Sequence, residues 1–111
     1  MSAYMIAFVT PHSLEWLDEY AKNVPRIIHS HGGRYLAIPH SVPNAVEVVE
    51  GDGPAPTFIV LFTFPSVNAI KGFIDAPEYA PYKQARVAGT DSVFYAFEND
   101  DNAPQLVGQP S

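Results

Sequence analysis

Two histidines and an arginine crowd the stretch His29-Ser30-His31-Gly32-Gly33-Arg34, and a second arginine, Arg86, follows the tyrosines Tyr79 and Tyr82. Imidazole is the side chain that exchanges a proton nearest neutral pH, which makes a histidine on an apolar face the natural candidate for proton transfer. Leu17, Tyr20, Val24, Ile27 or Ile28, and His31 recur at three- and four-residue steps, so His31 ends an inward-facing helical stripe. A guanidinium is a planar fork suited to clamping a carboxylate or an enolate. Arg86 falls on adjoining positions of one helical face with Tyr79, Tyr82 and Lys83. His31 and Arg86 are therefore expected to be the catalytic groups, with Tyr20, Arg34, Glu50 and Tyr79 contacting the substrate. The competing structural uses are a histidine capping the helix end, where positive charge is favoured, and an arginine paired to Glu50 or Asp52.

Glu50-Gly51-Asp52 could supply a general base, but acidic residues before a Gly-Pro loop more commonly satisfy turn amides. Arg34, next to Gly33, is placed to orient Glu50 across a neighbouring strand. Trp16 and Tyr20 suit a core or a pocket wall. His29, His31 and His40 offer three imidazoles, yet residues two apart do not face the same way on a helix and no zinc spacing is present. No metal is expected. Phosphate loops, nucleophile elbows and dinucleotide fingerprints do not occur, so no cofactor is expected either.

Composition narrows the partners. With 6 basic against 12 acidic residues and a net charge of -6, the chain has no stripe for tracking phosphates and would be repelled by anionic lipid. Neither nucleic acid nor membrane is an expected partner. There is no cysteine, hence no disulfide framework and no thiol nucleophile. The N-terminus does not read as a signal peptide and no apolar run approaches a membrane span, so the expected setting is the cytoplasm.

The 111 residues suit one domain with one modest core. Tyr4 to Thr10 is nearly unbroken apolar and reads as a central strand, after which Thr10-Pro11 or Ser13 caps a helix. Pro25 predicts a kink or a restart in that helix. Gly32-Gly33 ends it, and Arg34 to Ile38 follows as a short strand. A Pro-containing turn at 39–44 leads to a predicted half-buried strand over Ala45 to Glu50, then a Gly-Pro loop. Thr57 to Phe64 is a second central strand. Ser66 caps a helix whose buried stripe is Val67, Ile70, Phe73 and Ile74. Ala76-Pro77 starts a shorter helix that Pro81 makes irregular, and Ser92 to Phe97 is the last strand. A domain at 1–97 followed by an acidic, Pro-containing tail at 98–111 completes the reading.

This order is that of a ferredoxin-like split βαβ fold, an α+β arrangement with helices on one face of an antiparallel sheet. The first strand is apolar on both sides, with Tyr4, Ile6 and Phe8 on one and Met5, Ala7 and Val9 on the other. One short chain cannot cover both faces. A homodimer packing sheet to sheet, as a dimeric α/β barrel, is expected.

Several stretches are similar to the domain-of-unknown-function family 1330: Tyr4 to Val9, Glu15-Trp16-Leu17 with Tyr20, Asn23-Val24-Pro25, His31 to Ala37, Glu47 to Asp52, Phe64-Pro65-Ser66, and Pro77-Glu78-Tyr79 with Arg86. The resemblance runs from about Tyr4 to Phe97. It implies the dimeric α/β-barrel fold and no established activity. Related barrels include cofactor-free monooxygenases, muconolactone-isomerase-like enzymes and stress-response proteins, an analogy at the level of fold. The insertion at 39–44 and the extended acidic ending depart from the family pattern. The resulting expectation is a protein that binds a small organic acid, with proton-transfer isomerisation, lyase chemistry or cofactor-independent oxygenation as its possible reactions. The alternative is a non-enzymatic dimeric module that senses a metabolite or docks a protein partner through the tail.

Overall fold

The computed structural model describes residues 2–38 and 46–99. Four strands and three helices follow in the order β1 (Ala3–Pro11), α1 (Leu17–Ser30), β2 (Arg34–Ala37), β3 (Phe58–Phe64), α2 (Val67–Ile74), α3 (Ala80–Gly89) and β4 (Thr90–Glu98). The sheet order is β2-β3-β1-β4 and every pairing is antiparallel. This is the ferredoxin-like α+β fold. The two most apolar strands, β1 and β3, are internal, as their lack of polar alternation implies.

Period-two geometry separates the two sheet faces. Ala3, Met5, Ala7 and Val9 of β1 and Phe58, Val60, Phe62 and Phe64 of β3 are buried beneath the helices. They meet Val24, Ile27 and Ile28 of α1, and Ile70 and Phe73 of α2, in one core. The opposite face is no less apolar. There the register sets Tyr4 opposite Phe97, Ile6 opposite Tyr95 and Phe8 opposite Val93. Val93, Tyr95 and Phe97 remain about half exposed, at 49%, 56% and 53%.

Four local expectations are corrected. Thr10 and Pro11 belong to β1, and α1 starts only at Leu17, entered through a turn in which Ser13 Oγ accepts from the Glu15 amide at 3.1 Å. Trp16 holds that turn by donating from Nε1 to the Ser13 carbonyl at 2.7 Å. Pro25 does not restart α1, which is one continuous helix through Ser30, because a proline removes only its own amide bond. Val46 to Glu50 form no strand, and Val49 is 95% exposed: alternation within a segment does not by itself bring it onto a sheet edge, and among the described residues β2 pairs only with β3. Finally, Pro81 rather than Pro77 occupies the first turn of α3, where its missing amide is harmless. Ala45, the turn at 39–44 and the tail beyond Asn99 lie outside the described residues.

The helix-to-strand turn after α1 is a Schellman motif. The Gly33 amide donates to the Ile28 carbonyl at 2.9 Å and the Gly32 amide to that of His29 at 3.0 Å. Gly32 has φ +82, the left-handed conformation this motif requires. Gly33 is needed for space, since a Cβ there would lie 2.5 Å from the Phe64 ring. Ser66 caps α2 as expected, accepting from the Ala69 amide at 3.0 Å.

Candidate functional site

Between α1 and the inner sheet face lies a pocket of about 230 Å³. Its space has a cause in the sequence. Ala7 in the middle of β1 and Ala21 on α1 put methyl groups where larger side chains would close the gap. Trp16, Tyr20, Tyr35, Phe58, Phe62 and Phe94 supply aromatic walls. Pro25 also lines the pocket, and its missing amide leaves the Ala21 carbonyl without its usual helical donor. A purely apolar cavity of about 150 Å³ accepts benzene, so this one has room for a substituted ring.

Among the described residues one charged group reaches the pocket wall. Arg86 projects from α3 and is only 6% exposed. No carboxylate among the described residues lies within ion-pair distance of it. Its Nε donates to Tyr79 Oη at 3.4 Å, its Nη1 donates to Ser92 Oγ, and its Cζ lies 4.2 Å from the centre of the Phe94 ring. Ser92 Oγ is 3.1 Å from Thr90 Oγ1, which itself donates to the Arg86 carbonyl at 2.7 Å and so fixes the end of α3. Neutral hydroxyls and a ring face thus hold this guanidinium in place without neutralising it. A buried cation that lacks a counter-charge is unfavourable unless an anion completes the site.

Beside it, Tyr79 Oη and Tyr20 Oη are 2.6 Å apart, and their rings meet edge to face with centres 6.0 Å apart. Tyr79 is wholly buried and stacks on Phe73 with ring centres 4.3 Å apart. Burial pushes the Tyr20 hydroxyl well above the ordinary tyrosine range, and the neighbouring Tyr79 adds to the shift; Arg86 opposes it. Tyr35 is pushed up to about 12, chiefly by burial. Both tyrosines are therefore neutral hydrogen-bond donors at physiological pH.

The expected site residues divide into two groups. Arg86, Tyr20 and Tyr79 come together, with Arg86 and Tyr20 on the pocket wall and Tyr79 behind them. His31 stands elsewhere, at the C-terminal cap of α1, with Nε2 3.5 Å from Glu78 Oε1 and its ring beside Phe73 at 6.2 Å. It does not line the pocket and does not meet Arg86. Arg34 is exposed at the start of β2, Glu50 is exposed in the following loop, and no ion pair joins them. Among the described residues no group of three histidine or acidic side chains could hold a metal, and His40 lies outside them.

Ser92, Phe94 and Ala7 were not read from the sequence as site residues, whereas Trp16 was read as core or pocket wall and lines the pocket. Ser92 and Phe94 alternate with exposed positions of β4, and this parity marks them as inner-face residues once the strand is assigned. Arg86 and Phe94 also border a wider, open depression with Asp91, whose carboxylate opposes an anion there and pairs instead with His12 at 3.0 Å.

The fold has solved relatives. The RPA0582 protein of Rhodopseudomonas palustris, of unknown function, superposes with a TM-score of 0.70 at 15% identity, covering 90% of this chain and 83% of that one. Its methylated form gives 0.68 at 16% identity, covering 90% and 82%. SnoaB, a cofactor-independent oxygenase from Streptomyces nogalater, gives 0.59 at 13% identity, covering 93% and 97%. These likenesses bear on fold alone. None of the curated proteins compared with the chain matches it by sequence. A family profile described as a domain of unknown function, DUF1330, matches residues 2–99, and the chain belongs to that family.

Proposed function

We propose that this protein binds a small, partly apolar organic anion in the pocket between α1 and the sheet. The observation that carries the reading is the buried guanidinium of Arg86, which lines an aromatic pocket and has no carboxylate partner among the described residues. The ring-lined walls receive the apolar body of the ligand, while Arg86 and the Tyr20 hydroxyl receive its charge. No histidine, aspartate or glutamate is among the described lining residues. The arrangement therefore favours stabilising an anion over shuttling a proton, and His31 has no part in it. Any reaction would be one in which holding an enolate or similar anion lowers the barrier. SnoaB is described as a cofactor-independent oxygenase, and fold-level analogy with it is compatible with such chemistry.

A homodimer belongs to the same proposal. Tyr4, Ile6, Phe8, Val93, Tyr95 and Phe97 form an apolar sheet face that the described residues leave partly exposed. A patch of this kind marks an association surface, and a second copy packing sheet to sheet would cover it. The cytoplasmic setting expected from the sequence stays part of the proposal. Among the described residues no helix is long and apolar enough to cross a membrane.

A thermal-shift screen of small aromatic and aliphatic carboxylates and phenols tests the binding reading. A ligand at about one hundred times its Kd adds about 2.7 kcal/mol to stability, an easily read rise in Tm. A flat response across such a panel overturns the proposal.

A further inference from the structure

The hydroxyl pair beside Arg86 has a direction, and that direction leaves one donor on the pocket wall. Arg86 Nε donates to Tyr79 Oη, so that oxygen is already an acceptor. Tyr79 is 0% exposed, and its own proton needs an acceptor inside the protein. The Tyr20 oxygen, 2.6 Å away, is the acceptor in reach. If the proton pointed elsewhere, a buried donor would go unsatisfied, at about 1–3 kcal/mol. The chain therefore runs from Arg86 to Tyr79 to Tyr20, and the proton of Tyr20 is left over. Tyr20 lines the pocket and Tyr79 does not, so this remaining donor is available to a ligand.

Arg86 is restricted in the complementary way. A carboxylate is gripped most firmly by two parallel N–H bonds from one guanidinium fork. Here Nε is committed to Tyr79, and Nη1 to Ser92. Tyr79 thus closes the fork of Nε and Nη2, while Nη1 keeps a second N–H beside those of Nη2. Three guanidinium N–H bonds and one tyrosine O–H remain as donors. A single charged oxygen can accept from the Tyr20 O–H and one guanidinium N–H together without breaking either internal bond.

We propose that the pocket takes a phenol or enol in its anionic form, with the charged oxygen received by the Tyr20 hydroxyl and by Arg86, and with Tyr79 as the positioning residue that turns the Tyr20 proton toward it. This rests on the anion-binding reading above and names its ligand class. On binding, the O–H bond of the ligand breaks, the electron pair stays on its oxygen, and the proton passes to the solvent buffer. No oxidant, metal or protein base takes part.

4-Nitrophenol is a suitable probe, because its neutral and anionic forms differ in colour, and its single ring fits the pocket volume. Its ionisation is followed by absorbance with and without excess protein, and occupancy by the fluorescence of Trp16, the chain's sole tryptophan, on the pocket wall. The anion should bind about tenfold or more tightly than the neutral phenol, the value of a hydrogen bond to a charged group, and the bound probe should ionise at correspondingly lower pH. Tyr20→Phe should abolish most of that shift. Tyr79→Phe should remove at least half of it without weakening binding of the neutral phenol, a result that a merely structural Tyr79 does not give. An occupied probe whose ionisation is unmoved or moved upward overturns the phenol–enol assignment and leaves anion binding standing. Binding of benzoate without binding of 4-nitrophenol does the same. Failure of both ligands to bind wild-type protein overturns both readings.

Discussion

The hydroxyl oxygens of Tyr20 and Tyr79 lie 2.6 Å apart although the residues are 59 positions apart in the chain. That contact joins α1 to the turn before α3 and brings a pocket-wall hydroxyl into line with the buried Arg86. Catalytic or binding groups are usually held this way, by side chains whose own orientation is fixed by packing behind them. Stacked on Phe73 and sealed from solvent, Tyr79 is the supporting group here.

If Arg86 is retained for a ligand rather than for the fold, removing its charge should not destabilise the empty protein much. Arg86→Met replaces the stem with similar bulk, loses a cation–π contact of about 1 kcal/mol, and relieves a larger desolvation burden. Urea denaturation should show stability unchanged within about 1 kcal/mol, or increased. A loss of about 3 kcal/mol or more would make the residue structural.

The small residue Ala7 should matter for space. Ala7→Leu projects three more carbons into the pocket between α1 and the sheet, and should weaken binding of any ring-sized ligand by at least about tenfold, with a stability change of no more than about 1–2 kcal/mol in either direction. Calorimetric titration paired with thermal unfolding reads both effects. Undiminished affinity in a folded variant would place the ligand elsewhere.

Most of the fold was legible because it is written in periodicities that burial enforces. β1 and β3 announce themselves by unbroken apolar runs, α1 and α2 by three- and four-residue stripes, and the turn at Gly32-Gly33 by the φ of +82 that glycine accommodates. The strand expected near Val46 to Glu50 failed for the complementary reason: β2 and β4 are edge strands, but local alternation does not encode whether a segment reaches a sheet edge. The grouping of the candidate site residues was legible only in part. Arg86, Tyr20 and Tyr79 were recognisable by residue type and helical face. Whether His31 meets Arg86 was not legible, because the inward stripe of α1 has two ends: Tyr20 opens into the pocket, while His31 sits about three turns further on against Phe73 and Glu78.

That separation makes a prediction of its own. His31→Asn should leave affinity for a pocket ligand unchanged within about twofold, because the imidazole touches Glu78 and Phe73 rather than the pocket. Titration of the variant against wild type checks this, and a drop beyond about tenfold would reinstate His31 as a site residue.

Alkaline pH should unfold the protein in a defined window. Tyr35 ionises at about 12 in the folded chain and near 10 when unfolded, and Tyr20 is shifted in the same direction. For a folded-state value that is raised, the stabilisation is fully present below pH 10 and is lost as pH climbs toward and through the folded value, since the unfolded chain releases its protons first. Stability by urea titration should therefore be level below pH 10 and fall above it, and Tyr35→Phe should flatten the fall. An unchanged slope in that variant would contradict the assignment.

The central claim, that Arg86 makes this pocket an anion site, is tested most directly by calorimetric titration of wild-type protein and Arg86→Met with benzoate and 4-nitrophenol. Wild type should bind at least one of them with one site per chain, and the folded variant should bind that ligand at least about tenfold more weakly. Equal affinity in the two proteins, or no binding of either ligand to wild type, would contradict it.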